Sequence, residues 1–210
     1  MLDGLMRRLI DPPLDRIGRV LARGGVSADQ VTFAGLILGL ACAAASAVGA
    51  EWLARAGLAR RRSCDGLDGA VARAGTISDR GGFLDIVFDF IFYGAVPLAF
   101  ALRDPDANAI AATVLLFTFY VNGASFLAFA AVAAKRGMTT QMRGVKSIYF
   151  TAGLAEGSET IIAFALMIAF AQHFPLIAYF FAGLTLMSAI ARIALAYALF
   201  ADEGEEDEAG

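Results

Sequence analysis

The chain has 210 residues, 59% of them hydrophobic and 18% charged, with a mean hydropathy of +0.66. Soluble domains carry about 45–50% apolar residues, so this composition excludes an ordinary soluble globule and leaves no room for a large extramembrane domain. The formal charge of -3 hides a division. Six of the 20 acidic residues (Asp202, Glu203, Glu205, Glu206, Asp207 and Glu208) crowd the C-terminal tail, and without them 14 acids face 17 Lys and Arg. No basic run is interleaved with exposed aromatics, so nucleic acid is not expected as a partner. Cys42 and Cys64 are too few for a disulfide framework or a cysteine zinc site, and both read as packing residues.

A hydrocarbon core of about 30 Å takes roughly 20 helical residues to cross. The apolar runs therefore predict an all-α integral membrane protein with six transmembrane helices, preceded by an amphipathic interfacial helix. At the N-terminus, Arg7, Arg8, Asp11 and Asp15 interrupt anything resembling the apolar region of a signal peptide. From residue 14 to 23, Leu14, Ile17 and Leu21 share a stripe while Arg16, Arg19 and Arg23 lie elsewhere, which suits a helix in the headgroup plane. A helix packed on the rest of the protein is the alternative. Gly24 and Gly25 end it, and Ser27 offers an N-cap to the first span, 31–50. The division expected is 1–26 for the interfacial helix, 27–200 for the transmembrane domain and 201–210 for an acidic, solvated tail.

The second span, 52–71, is the weakest, because Arg55, Arg60, Arg61 and Arg62 each cost about 2.5–3.5 kcal/mol near a helix centre. Snorkelling, burial against other helices, tilting or cover from a partner subunit must offset that cost. The remaining spans are 83–102, 109–134, 154–171 and 174–200. The loop 135–147 carries Lys135, Arg136, Arg143 and Lys146 and falls on the side of the basic N-terminus and of the 73–80 connection. The opposite loops hold only Arg103 and His173, so the positive-inside rule places both termini in the cytoplasm. No internal repeat of fixed period suggests a solenoid or an inverted-repeat transporter.

The chemistry concentrates in DGLDGAVARAGTISDRGGFLDIVFDF, residues 65–90. Asp65 and Asp68 are three apart and Asp85 and Asp89 four apart, so each pair projects from one helix face. The short 75–82 connection makes the two helices antiparallel neighbours whose carboxylates can converge. Carboxylates at membrane depth are expensive and usually functional or paired. Four of them repel unless cations fill the space between, and oxygen-only ligation suits Mg2+ or Mn2+ with substrate phosphates completing the shell. Gly66, Gly69, Ala70 and Ala72 clear space for a bulky ligand, and Arg73 adds a cation suited to phosphate. The competing reading is that these aspartates only neutralise Arg60, Arg61, Arg62 and Arg73; the glycines and the regular spacing weigh against it.

Asp65, Asp68, Gly69, Ala72, Arg73, Gly81, Asp85 and Asp89 fall in an order that resembles the signature of the CDP-alcohol phosphatidyltransferases, here with a seven-residue spacer from Ala74 to Arg80. The runs GGFLDIVFDFIFYGAVPLAFAL, GASFLAFAAVAAK and KSIYFTAGLAEGSETI extend the likeness to a bacterial inner-membrane branch of that family. The resemblance implies a six-helix membrane enzyme, commonly a homodimer, whose polar cavity opens to the cytoplasm. Such an enzyme takes a CDP-linked lipid such as CDP-diacylglycerol and transfers the phosphatidyl group to a small alcohol with release of CMP. By the same resemblance Asp65, Asp68, Asp85 and Asp89 form the metal site, for two divalent ions, Mg2+ or Mn2+. Asp89 is also the catalytic base, and Asp65, Gly69, Ala72, Arg73 and Gly81 bind the CDP group. No nucleotide contact is assigned to the stretch from Ser27 to Thr32, where many relatives carry a Pro-Asn pair.

Acceptor recognition points to Arg143, Lys146, Glu156, Glu159 and Arg192, although the basic members equally serve topology and the glutamates can equally pair with Lys146 or Arg192. Glu156 and Glu159 argue mildly against a doubly charged phosphate acceptor. Asn122 is expected to make a helix-to-helix hydrogen bond and His173 to sit in a solvated turn. Two other classes stay open: a cation transporter, which needs acidic groups reaching both membrane faces, and a catalytically silent membrane scaffold.

Overall fold

A computed structural model describes residues 3–75, 78–138 and 157–200, with side chains from residue 12 onward. Those residues form helices joined by short turns and contain no strand. The order is α1 (Asp3–Arg23), α2 (Ala28–Ala47), α3 (Glu51–Ala74), α4 (Asp79–Arg103), α5 (Pro105–Lys135), α6 (Gly157–Ala169), a 3-10 turn (Ala171–His173) and α7 (Phe174–Phe200). Among the described residues, four segments are long and apolar enough to cross a membrane: α2, α4, α5 and the stretch Ala171–Phe200. The 25 residues of α4, at about 1.5 Å each, exceed the thickness of a hydrocarbon core. The expected second span, α3, is helical but too charged for that group, and α6 is a shorter apolar helix.

Local chemistry explains the boundaries. Ser27 caps α2 reciprocally with Gln30: the Gln30 N–H donates to Ser27 Oγ at 3.3 Å, and the Ser27 N–H to Gln30 Oε1 at 3.0 Å. Gly25 ends α1 at φ +83° and Gly137 follows α5 at φ +62°, both in the left-handed region where a Cβ is unfavourable. Ser78 caps α4 by accepting from the Gly81 N–H at 3.1 Å, and Asp104 caps α5 ahead of Pro105.

α2 packs against both α3 and α4, whose backbones otherwise stay apart, so the expected neighbours meet through long side chains across α2. α5 packs on α4 and α7, and α6 on α3 and α7. Arg103, at the end of α4, bonds Glu51 at the start of α3, which fixes one end of this group. The start of α2, the end of α3 and the start of α4 consequently share the other end. Between the two lies the apolar core, where Phe92, Val96, Phe100, Phe164 and Phe174 are fully buried. The rings of Phe100 and Phe174 stack with centroids 4.4 Å apart.

The N-terminal helix packs on α3 rather than standing apart. A Cβ on buried Gly18 would meet the Ala70 backbone at 2.7 Å, and Leu14 sits against Gly66. Of the expected stripe, Leu14 and Leu21 are half-buried while Ile17 is exposed with Val20. Asn122 accepts from Arg192, as its place within an apolar helix required, and His173 is exposed in its turn. Arg143, Lys146, Glu156, most of the basic 135–147 loop and the acidic tail lie outside the described residues.

Candidate active site

The Asp65–Asp89 stretch folds into two adjoining structures. The first is a cavity of about 300 Å3, lined by Ala28, Asp29 and Thr32 of α2, Asp68, Gly69, Ala72 and Arg73 of α3, and Ser78, Gly81, Gly82 and Asp85 around the start of α4. Of the five residues that the resemblance assigned to the CDP group, Gly69, Ala72, Arg73 and Gly81 are on this wall, and Asp65 is not among the lining residues. Small residues keep it open: a Cβ on Gly69 would meet Arg73 Nη1 at 3.3 Å, and one on Gly81 would meet Ser78 Oγ at 3.3 Å. Asp68 is buried, accepting from Thr32 Oγ1 at 3.0 Å on Oδ2 and from the Gly69 N–H at 2.6 Å on Oδ1. Two cations stand at the rim, Arg73 held by Asp15 of α1 at 2.7 Å and Arg80 by Asp29 at 2.5 Å.

The second structure is an ion-pair triad. Arg61 is only 2% exposed, and its guanidinium bridges α3 to α4: Nη1 donates to Asp65 Oδ2 and Nη2 to Asp89 Oδ1, the latter at 2.6 Å. Its Cζ lies 4.2 Å from the centroid of Phe92, a cation–π contact. Asp89 Oδ2 accepts from Tyr93 Oη at 3.4 Å. One of the four second-span arginines has thus become an internal counter-ion. Arg55 pairs with Glu51 near the other end, and Arg60 is exposed.

The four aspartates therefore divide two and two. Asp68 and Asp85 face the cavity, and their oxygen-only donor set fits a hard cation such as Mg2+ or Mn2+. Asp65 and Asp89 converge on a guanidinium, which is the pairing the competing sequence reading described for one arginine. Among the described residues no three His, Cys, Asp or Glu side chains gather around a single point suited to a metal. Of the residues proposed for the acceptor, Arg192 lies away from the cavity wall: its Nη1 donates to Asn122 Oδ1 and Ser125 Oγ, each at 2.8 Å, joining α7 to α5. Glu159 is in the first turn of α6.

Sequence reasoning met Arg61 only in the competing reading, and missed Tyr93, Thr32, Asp29 and Ser78. For Arg61 and Tyr93 a signal existed, since Arg61 precedes Asp65, and Tyr93 follows Asp89, by one helical turn of four residues. Thr32 and Asp29 are placed by the α2–α3 packing, which no local pattern announces.

The family model described as CDP-alcohol phosphatidyltransferase matches residues 26–201. The inner membrane protein YnjF of Escherichia coli (strain K12) is 41% identical over 193 residues, covering 92% of this chain and 94% of that protein. Archaetidylinositol phosphate synthase of Pyrococcus horikoshii is 36% identical over 98 residues, 46% of this chain and 52% of that one. Among solved structures, phosphatidylinositol phosphate synthase (PgsA1) of Mycobacterium tuberculosis with CDP-DAG bound shares the fold at a TM-score of 0.70 and 22% identity, over 88% of this chain and 93% of that one. With its apolar helices, glycine-walled cavity and complete aspartate series, the chain is a membrane protein that belongs to the CDP-alcohol phosphatidyltransferase family.

Proposed function

We propose that this protein transfers a phosphatidyl group from a CDP-linked lipid such as CDP-diacylglycerol to a small alcohol, releasing CMP, in phospholipid synthesis. The observation that carries the reading is the cavity on whose wall Gly69, Ala72, Arg73, Gly81, Asp68 and Asp85 meet. The lack of side chains at Gly69 and Gly81 lets a nucleotide approach closely, and the Arg73 and Arg80 guanidiniums at the rim, paired with Asp15 and Asp29, are suited in charge and position to meet phosphate oxygens. Thr32 holds the Asp68 carboxylate in one orientation, so the wall is set before the ligand arrives. Asp68 and Asp85 would hold the divalent ion, Mg2+ or Mn2+, which when bound neutralises charge on the diphosphate and favours CMP as the leaving group.

Asp89 is proposed to accept the proton of the acceptor hydroxyl. Arg61 and Tyr93 fix its two oxygens, and α6 begins beside them, since a Cβ on Gly157 would lie 3.6 Å from Tyr93 Oη. In this reading the start of α6 would form a second wall for a small alcohol next to the base, with Glu159, Glu156, Arg143 and Lys146 as the residues proposed to recognise it. The fully buried Phe92, Val96, Phe100 and Phe164 fill the bundle beyond the aspartates, which disfavours a cation pathway to the opposite face. The proposed setting is the bacterial inner membrane, as a homodimer with both termini cytoplasmic.

The test is CMP release by detergent-purified protein given CDP-diacylglycerol, Mg2+ or Mn2+ and a panel of alcohols. Release with at least one acceptor is expected; none with any acceptor, together with no CDP binding by calorimetry, refutes the proposal. Asp89→Asn is expected to abolish turnover while keeping CDP binding, and a fully active variant refutes the base assignment.

A further inference from the structure

The position of Arg61 carries a consequence for how many ions the site takes. Its slot is purpose-shaped. Gly39 of α2 leaves the space through which the side chain passes, since a Cβ there would stand 2.8 Å from Arg61 Cδ and 3.0 Å from Nε, and the fully buried Phe92 ring floors it. The guanidinium that results is a permanent charge, because arginine does not lose its proton in proteins. Its planar fork reaches two carboxylates on two helices at once, which a single ammonium point does less well.

The oxygens available to a metal are correspondingly fewer. Asp89 has Oδ1 on Arg61 and Oδ2 on Tyr93, and Asp65 has Oδ2 on Arg61. Asp85 has no hydrogen bond or ion pair among the described residues, and Asp68, which lines the cavity with it, accepts only from the neutral Thr32 hydroxyl and Gly69 N–H. Negative charge that no cation offsets thus gathers at the Asp68 and Asp85 end, and the Asp65 and Asp89 end already holds a cation.

We infer that Arg61 is a built-in cation standing in place of one divalent ion, so that each chain binds a single exchangeable ion at Asp68 and Asp85. The inference rests on the transferase reading of the site, and replaces the two ions that the sequence resemblance implies by one ion and one guanidinium. Arg61 is then a positioning residue: it fixes Asp65 and Asp89 without itself being exchangeable.

The experiment is a titration of the full-length protein in detergent with Mn2+ alone, followed by electron paramagnetic resonance, with CMP release measured on the same preparation. Wild type is expected to bind one Mn2+ per chain with no magnetically coupled pair. Arg61→Ala, and Arg61→Met, which keeps an apolar stem against Phe92, are expected to bind two, at a separation of about 3.5–4 Å that couples their spectra. Asp85→Asn is expected to lose the wild-type ion. Two Mn2+ or a coupled spectrum in wild type overturns the inference, and this needs no variant to fold. No bound Mn2+ in wild type, or an unchanged count in both Arg61 variants, overturns it as well. Intact CMP release alongside any of these leaves the transferase reading standing, whereas absent release and absent CDP binding removes that reading itself.

Discussion

Replacing Gly39 by Ala tests whether α2 is shaped around the buried arginine. The added Cβ would stand 2.8 Å from Arg61 Cδ and 2.9 Å from Phe92 Cδ2, where ordinary contacts begin at 3.4 Å, so each neighbour must retreat by about half an ångström or α2 must lift. Neither neighbour is free to retreat. Arg61 is fixed at both Nη atoms, and Phe92 is fully buried with its ring edge-on to Phe164 at 5.5 Å. Overpacking of this kind costs about 1–3 kcal/mol, but Gly→Ala in a helix also gains up to about 1 kcal/mol in propensity. The comparison that cancels the second effect is Gly94→Ala in α4, where the nearest side-chain atom to the new Cβ is Leu116 Cδ2 at 4.0 Å. Gly39→Ala is expected to be less stable than Gly94→Ala by about 1–3 kcal/mol in detergent unfolding. Adding Arg61→Ala should recover part of that difference, because the obstructing stem is gone. Equal stability of the two alanine variants, or no coupling between positions 39 and 61, refutes the reasoning.

Thr32→Val removes the hydroxyl that orients Asp68 while keeping the shape; a net hydrogen bond of about 1 kcal/mol predicts roughly fivefold weaker metal-dependent CDP binding by calorimetry. Arg73→Ala should weaken CDP binding by about tenfold or more, as loss of a charge-assisted contact does. Asp15→Asn, which only releases Arg73 from a half-exposed pair, should change stability by less than about 1 kcal/mol in thermal unfolding. Ser78→Ala removes the cap of α4 at the cavity mouth, with an expected loss of about 0.5–2 kcal/mol and faster amide exchange at residues 79–82.

Much of the architecture was legible because it follows from local chemistry. Ser27 predicts the start of α2 through its hydroxyl, the Gly24 and Gly25 pair the end of α1, and runs of apolar residues the helices that follow. The cavity wall was legible for a different reason: Gly69, Ala72, Arg73 and Gly81 belong to the motif that resembles the family signature, and the structure brings them together. What stayed hidden depends on contacts distant in sequence. Asp29 and Thr32 reach the cavity because α2 packs between α3 and α4, and Arg192 leaves it because Asn122, 70 residues away, receives it.

The second helix shows how a local rule failed for a physical reason. Arg55, Arg60, Arg61 and Arg62 each carry an insertion cost of about 2.5–3.5 kcal/mol on scales for a residue at the centre of a membrane-inserting helix, which take no account of a specific partner. Arg61 does not face lipid: it turns inward through the gap at Gly39 and meets two carboxylates that would be equally costly alone. Removing either partner of such a buried pair exposes the full penalty of the other, about 3–5 kcal/mol, so the oddity of the arginine and the oddity of the aspartates are one feature. One buried donor, Arg61 Nε, still finds no partner among the described residues. An unmade bond of that kind costs about 1–3 kcal/mol. A side chain chosen only to neutralise two carboxylates would not need to carry that cost, which is consistent with a fork placed for the geometry of Asp65 and Asp89 rather than for stability.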